Sequence, residues 1–292
     1  MSEAKVRPAG GPTYDAPLTA CTVCGGAPLR PFDRDDYRGN RIDRCAACGV
    51  LLVNPQYTDA WLAQFYADYN SLASLAPGDD VPHRKQIAVR TEGKRRALQW
   101  LARFQPPGRV LMVGCGDGLE LQVGKELGWR PEGYDVDPAT TERIAAHHGV
   151  PVHCGDLATL AERVAPFDAV FMDQVLEHPK NPGAYLRMAR DLLRPGGVLF
   201  VASPNVRSLS ACTKTLTGRL GLRGRRRGRH YDSGHHLTGF SPAVLRRVLP
   251  QFGFAVLAIR AAIKPQRNPL TGLLGDHFSF LDSNFAVLAR KL

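Results

Sequence analysis

The clearest signal in the chain is a change of hydrophobic period after residue 108. Short, nearly continuous apolar runs alternate with amphipathic stretches from there on. RVLMVGCG (109–116), RPEGYDVD (130–137), PVHCGD (151–156), FDAVFMDQV (167–175) and VLFVASPN (198–205) have the length and content of strands buried on both faces. Between them, Leu119–Leu127, PATTERIAAHHG (138–149), Leu157–Val164 and AYLRMARDLLRPGG (184–197) read as helices, two of them closing on glycine. Strands alternating with helices of this length imply a parallel sheet covered on both sides. The end differs: SPAVLRRVLPQFGF (241–254) is a helix stopped at Gly253, and FAVLAIRAAI (254–263) and SNFAVLARKL (283–292) are strands close enough to pair as a hairpin. The fold class is therefore α/β: a five-stranded parallel sheet with an antiparallel C-terminal finish and helices on both faces.

The first 108 residues follow another pattern. Residues 1–19 are polar and rich in Gly and Pro, and read as a disordered tail. Residues 20–57 hold two cysteine pairs. Residues 58–84 read as a helical connector: a helix over 58–75, with Leu62, Phe65, Tyr66 and Tyr69 on one stripe, and a linker over 76–83 (APGDDVPH). A basic helix from Arg84 to Phe104 follows, stopped by Gln105-Pro106-Pro107-Gly108, and residues 85–292 form the main domain.

Cys21-x-x-Cys24 and Cys45-x-x-Cys48 stand twenty residues apart, each pair followed by glycine (Gly25, Gly49). Two such turns point four thiolates at one tetrahedral zinc ion, a closed and hence structural site. Cys115, Cys154 and Cys212 are scattered and read as small apolar residues. With no signal-peptide core and no run of apolar residues long enough for a bilayer, the chain is expected to have no membrane span and to be cytoplasmic.

The 292 residues carry a formal net charge of +11. Nine Lys or Arg and no acid fall between Leu192 and Tyr231, with the densest cluster at Arg223–Arg229. This stretch suits an anionic partner such as a nucleotide sugar, a phosphorylated glycan or RNA, and equally a solvated loop.

The loop V-L-M-V-G-C-G-D-G (110–118) sets Gly114, Cys115, Gly116 and Gly118 between a buried strand and a helix, where side chains would block a ligand from the backbone. Asp135 ends the next strand, 21 residues after Gly114, where a carboxylate accepts from both ribose hydroxyls of an adenosine. Asp156 ends the third strand and would meet the adenine amine, with the Leu157 N–H reaching the ring. Each of the two acids precedes a helix, so N-capping is the alternative role.

These motifs, with F-D-A-V-F-M-D-Q-V-L-E-H, L-L-R-P-G-G-V-L-F-V and S-P-N in order over about residues 85–292, resemble class I S-adenosylmethionine-dependent methyltransferases, which implies a Rossmann-like sheet. The resemblance implies that Gly114, Gly116 and Gly118 approach the methionine part of S-adenosylmethionine. It also implies that Asp135, Asp156 and Leu157 hold the adenosine, and that Asp173 and Gln174 wall the methyl-transfer chamber. Met112 departs from it, standing where such families often carry an acid two before the first glycine.

Glu177 and His178, in V-L-E-H, are the first catalytic candidates, with a loop-locking role as the alternative. His236 with His235 comes second, near His230 and Tyr231. V-L-E-H is also similar to ubiquinone-pathway O-methyltransferases, implying a magnesium ion, although Gln174 replaces their acid and Asp173 is adjacent. The segment C-T-V-C-G…C-A-A-C-G-V-L-L-V-N-P-Q with F-Y-A-D-Y resembles zinc-ribbon methyltransferases of glycan and natural-product pathways. That implies a small, sugar-containing acceptor, with Tyr66 and Tyr69 near it or in the core. The rival readings are an RNA methyltransferase, a nicotinamide dehydrogenase, and a non-catalytic binding or scaffold protein.

Overall fold

The computed structural model of the protein describes residues 11–34, 40–74, 81–155, 157–164, 166–220, 235–261 and 282–292. The N-terminal cysteine segment folds into an antiparallel sheet of β1 (Leu29–Arg34), β2 (Arg41–Cys45) and β3 (Leu51–Val53). Its fourth strand, β9 (Thr238–Gly239), comes from the far end of the chain and pairs with β3. Helix α1 (Asp59–Ser74) follows β3, and α2 (Val81–Ala102) begins inside the stretch expected to be a linker.

Residues 13–18, expected within a disordered tail, lie along the small sheet. Thr58 donates its N–H to Thr13, Asp15 donates to Gln56, and Leu18 donates to the Asn54 side chain at 2.7 Å. Tyr14 stacks on Tyr57 at 5.3 Å. Backbone groups at Gln56 and Thr58 and the buried Asn54 side chain supply these partners, which polarity alone did not reveal.

The large sheet contains β4 (Arg109–Val113), β5 (Arg130–Tyr134), β6 (Val152–His153), β7 (Phe167–Asp173) and β8 (Leu193–Pro204), all parallel. It is finished by β10 (Phe254–Ala261) and β11 (Asn284–Lys291), antiparallel. The order is β10-β11-β8-β7-β4-β5-β6, so the chain reverses its direction of growth between β4 and β7.

Alternation along each strand explains the layers. Leu111, Val113, Val170 and Met172 face one apolar cluster, built with α5 (Leu157–Val164), α6 (Pro182–Leu192) and α8 (Pro242–Val248). Val110, Met112, Ala169 and Phe171 face the other, built with α2, α3 (Leu119–Glu126) and α4 (Pro138–His148). Both faces are therefore dry, as the continuous apolar runs require. Asn181 caps α6 by accepting from Ala184 N–H, and Pro182 occupies its first turn. The Arg194–Gly197 segment, expected to end that helix, opens β8 instead. Strand β6 is only two residues long, and α7 (Leu209–Arg219) occupies part of the basic stretch that suits an anionic partner or a solvated loop equally. Among the described residues no helix is long and apolar enough to cross a membrane.

The small sheet is not a tethered module. Val23, Val50 and Leu52 share one apolar cluster with Leu186, Phe240 and Leu245 of the large domain. Arg247 donates to the carbonyls of Ala47 and Cys48 at 3.3 and 3.4 Å. Gly183 lets α6 approach: a Cβ there would lie 2.6 Å from the Val23 carbonyl oxygen. A core crossing both parts predicts one cooperative unfolding transition. Leu52→Ala, at a fully buried position, should lower stability by about 2–5 kcal/mol. Urea denaturation followed by fluorescence and circular dichroism checks this; separate transitions for the two sheets would contradict it.

Candidate functional site

Where neighbouring strands diverge, at the C-terminal ends of β4 and β7, an open α/β sheet leaves a crevice. The loop after β4 turns through three left-handed glycines, Gly114 (φ 68°), Gly116 (48°) and Gly118 (78°). At Gly118 a Cβ would also sit 2.2 Å from the His148 ring. At Gly116 it would meet only the Gly114 carbonyl, at 3.9 Å, so the missing side chain leaves open space above the loop.

Asp135 lies beside this turn. Its Oδ2 accepts from Gly116 N–H at 3.1 Å and its Oδ1 from Asp137 N–H at 3.2 Å. The α4 cap is Asp137, which accepts from Thr140 N–H and Oγ1. Asp135 is thereby freed from the capping role, and its carboxylate is turned to the glycine loop. Burial pushes its pKa above the ordinary value, and the backbone donors oppose that rise. Cys115 is buried, its sulfur against Gly133, and contributes only backbone to the loop. Asp156 lies outside the described residues; Leu157 opens α5.

At the tip of β7, Asp173 is held by Lys94 of α2 at 2.9 Å, and Lys94 also reaches Glu120 of α3 at 3.3 Å. Arg90 pairs with Asp117 of the glycine loop at 2.6 Å. Burial opposes the charge of Lys94, but the two carboxylates outweigh it and raise its pKa. Lys94 and Glu120 were not singled out in the sequence. The signal was the basic character of the helix preceding β4, whose partner only packing of α2 on α3 discloses. Met112, at the position where an acid was expected, is fully buried and packs against Gly124 in the apolar core. The acids near the loop come instead from Glu120 and Asp173.

Gln174 has φ 62°, the left-handed region, and donates its N–H to Ala202. His178 secures that turn: its Nε2 lies 3.0 Å from the Gln174 carbonyl oxygen and its Nδ1 3.3 Å from that of His235. Burial and the neighbouring imidazoles hold the His178 pKa well below its usual value. Glu177, for which the sequence leaves a catalytic role and a loop-locking role open, is 1% exposed and turns into the core. Its Oε2 accepts from Ser203 Oγ at 3.2 Å, and burial pushes its pKa up to about 8. Its backbone carbonyl accepts from Thr238 N–H. These contacts are those of a loop lock. A magnesium ion, one possibility weighed for V-L-E-H, would meet Asp173 paired with Lys94, Glu177 turned inward and no carboxylate at Gln174.

His235 is buried and stacks on Phe65 at 5.5 Å, while half-buried His236 borders a largely apolar pocket with Ile42, Leu51, Val53, Val206 and Leu237. Tyr66 meets Phe65 edge-on in the α1 cluster. The Tyr69 side chain, Arg223–Arg229, His230 and Tyr231 lie outside what the structure describes.

Cys21 and Cys48 sulfurs are 3.8 Å apart, as are those of Cys24 and Cys45, and all four lie within 4.8 Å of one another. A tetrahedron of sulfurs about 2.3 Å from a zinc ion has edges of about 3.8 Å, so the four thiols fit that ion and are far too separated for disulfides. Matching turns build the two halves: Gly25 N–H bonds to Cys21 O at 2.9 Å, and Gly49 N–H to Cys45 O at 3.0 Å.

Strand order, glycine turn and strand-tip acid define a doubly wound α/β protein of the nucleotide-binding type. The chain belongs to the methyltransferase-domain family, whose model matches residues 86–259, more than half of its length. It is similar to the ubiquinone biosynthesis O-methyltransferase of Caulobacter vibrioides, 34% identical over 135 residues, which are 41% of this chain and 53% of that protein. The protein of the same name from Xanthomonas axonopodis pv. citri is 39% identical over 113 residues, 36% of this chain and 46% of the relative. The chain spans about half the length of these curated relatives. The crystal structure of magnesium protoporphyrin IX methyltransferase from Synechocystis PCC 6803, with bound SAH, shares the fold at TM-score 0.52 and 16% identity, over 78% of this chain and 95% of that one.

The Lys94 bridge is open to direct test. Lys94→Met leaves Glu120 and Asp173 without their cation, and stability should fall by about 3–5 kcal/mol. Urea denaturation measures it, and a loss below about 1 kcal/mol would place the bridge among weak surface pairs.

Proposed function

We propose that this chain is an S-adenosylmethionine-dependent methyltransferase that methylates a hydroxyl of a small acceptor. The observation that carries the reading is the Asp135 carboxylate bonded to the Gly116 N–H, beside a loop surface left open by glycine, at the switch point of the sheet. Membership of the methyltransferase-domain family supports the cofactor, and the names of the curated relatives support oxygen as the methylated atom.

When bound, S-adenosylmethionine supplies a methyl group on a positively charged sulfur. The chain's own part is alignment, which by itself supplies much of the acceleration of a displacement. Asp135 retains lone pairs for the two ribose hydroxyls beyond its backbone donors. Gly114, Gly116 and Gly118 present backbone to the methionine end, with Asp173 and the locked Gln174 turn as the opposite wall. Asp156 and the Leu157 N–H are assigned to the adenine. His236, on the pocket side, faces the acceptor, while Glu177 and His178 hold the loop. The cysteine module carries zinc in a closed, structural role. Its combination with this domain, similar to glycan-pathway enzymes, makes a sugar-bearing alcohol the first acceptor class to try.

Incubation of the protein with isotopically labelled donor and a panel of sugar and phenolic alcohols, read by mass spectrometry, tests the reading. A labelled methyl on oxygen is expected; no transfer to any alcohol together with no donor binding would refute it. Asp135→Ala should weaken donor binding by roughly 1–3 kcal/mol, about 5- to 150-fold, measured by calorimetry. Cys45→Ser should release the ribbon metal and lower stability, since a closed zinc site contributes directly to folding. Metal analysis and thermal unfolding check this, and a full equivalent of retained zinc would contradict the ligand set.

A further inference from the structure

We infer that the outer face of α7 is a docking surface for an anionic lipid bilayer, which the protein touches from one side without crossing it. Helix α7 carries its large apolar residues on the side away from the core. Leu209, Leu216 and Leu220 are 51%, 59% and 61% exposed. A helix turns by about 100° per residue, so positions seven and eleven residues on return to within about 20° of the first, and the three leucines form one stripe. Leu220 keeps the helical register just past the end of α7, since its N–H donates to the Leu216 carbonyl at 3.0 Å. Of the seven large apolar side chains exposed among the described residues, three belong to this stripe, which is a patch rather than scatter.

The inward side of the helix is built from small and polar residues. Ser208 and Ala211 are buried, and Thr215 and Thr217 are half-buried. The hydroxyls of Thr213, Thr215 and Thr217 donate to the carbonyls of Ser210, Ala211 and Thr213, at 3.0, 3.0 and 2.8 Å. These side chains are therefore satisfied by their own helix and ask for no outside partner. A helix with threonine turned in and leucine turned out is the reverse of an ordinary core helix.

Charge selects the occupant. Residues 206–220 include Arg207, Lys214 and Arg219 and no acid, within a stretch, 192–231, that has nine Lys or Arg and no acid. A second copy of this helix would set like charge against like charge. An RNA would use the cations but not three leucines, and α7 has no aromatic residue on which bases could stack. Leucines beside cations suit an anionic bilayer, whose acyl boundary takes the apolar side chains while its headgroups attract Lys and Arg. Helix α7 starts just after Val206, which borders the pocket shared with His236, so docking sets that pocket beside the lipid surface. The surface stands on α7 alone and does not depend on the methyl-transfer reading.

The experiment is co-sedimentation of the full-length protein with vesicles of phosphatidylcholine alone or of phosphatidylcholine mixed with phosphatidylglycerol. Binding to the anionic vesicles is expected, weaker in high salt and much weaker on the neutral ones. Leu216→Ser combined with Leu220→Ser should weaken it by about tenfold or more, since two apolar side chains no longer enter the bilayer. Both positions face outward, so circular dichroism and the unfolding midpoint should stay those of wild type; Leu216→Met, which keeps an apolar side chain, should keep binding. Wild-type protein that ignores anionic vesicles, that binds neutral ones equally well, or whose folded double variant binds as wild type does overturns the surface. Binding of a single-stranded RNA, or dimerisation lost in the double variant, in the absence of vesicle binding assigns the helix to that other partner and overturns it as well.

Discussion

Everything at the crevice depends on one short contact, the hydrogen bond from the Gly116 N–H to Asp135. It ties the turn after β4 to the tip of β5, and it forms because a left-handed glycine can expose its N–H where a larger residue would be strained. Helix capping is delegated to Asp137, two residues on. The buried carboxylate is therefore held at the loop by two backbone donors, which limit the cost of taking its charge out of water.

The opposite wall is held from outside the sheet. Gln174 keeps an unfavourable backbone conformation because the Ala202 carbonyl and the His178 ring grip it from two sides. Lys94 binds Asp173 from a helix that precedes the whole parallel sheet, so α2 acts on both sides of the crevice through Asp173 and Glu120. Such a network is costly to leave half-made, which is why its members come as a set.

The small cysteine sheet takes part in this arrangement. Its β3 pairs with β9, Leu51 opposite Gly239 and Leu52 opposite Thr238, and Thr238 bonds to the Glu177 carbonyl. The segment carrying His235 and His236 is thereby fixed over His178 by strand pairing to the ribbon. The small sheet thus sets the position of the histidine segment through backbone pairing. The shared apolar core makes this placement stiff, because Val23, Val50 and Leu52 cannot leave Leu186 and Leu245 without exposing apolar surface.

Much of this was legible in the order of residues. Strand and helix alternation, the glycine turn, Asp135 and the two cysteine knuckles depend on neighbours close in the chain or on periodicity, and local sequence carries both. The antiparallel finish was legible for the same reason. What tertiary packing alone decided was the partner of each buried polar group. Glu177 faces Ser203 rather than an acceptor, Lys94 joins Glu120 and Asp173, the tail at Thr13–Leu18 lies on the small sheet, and β9 crosses from one sheet to the other. These contacts span from 26 to nearly 190 residues of chain, and no short-range pattern encodes them. The direction a polar side chain takes is set by which element happens to close over it, through the penalty for leaving a buried donor or acceptor unpaired.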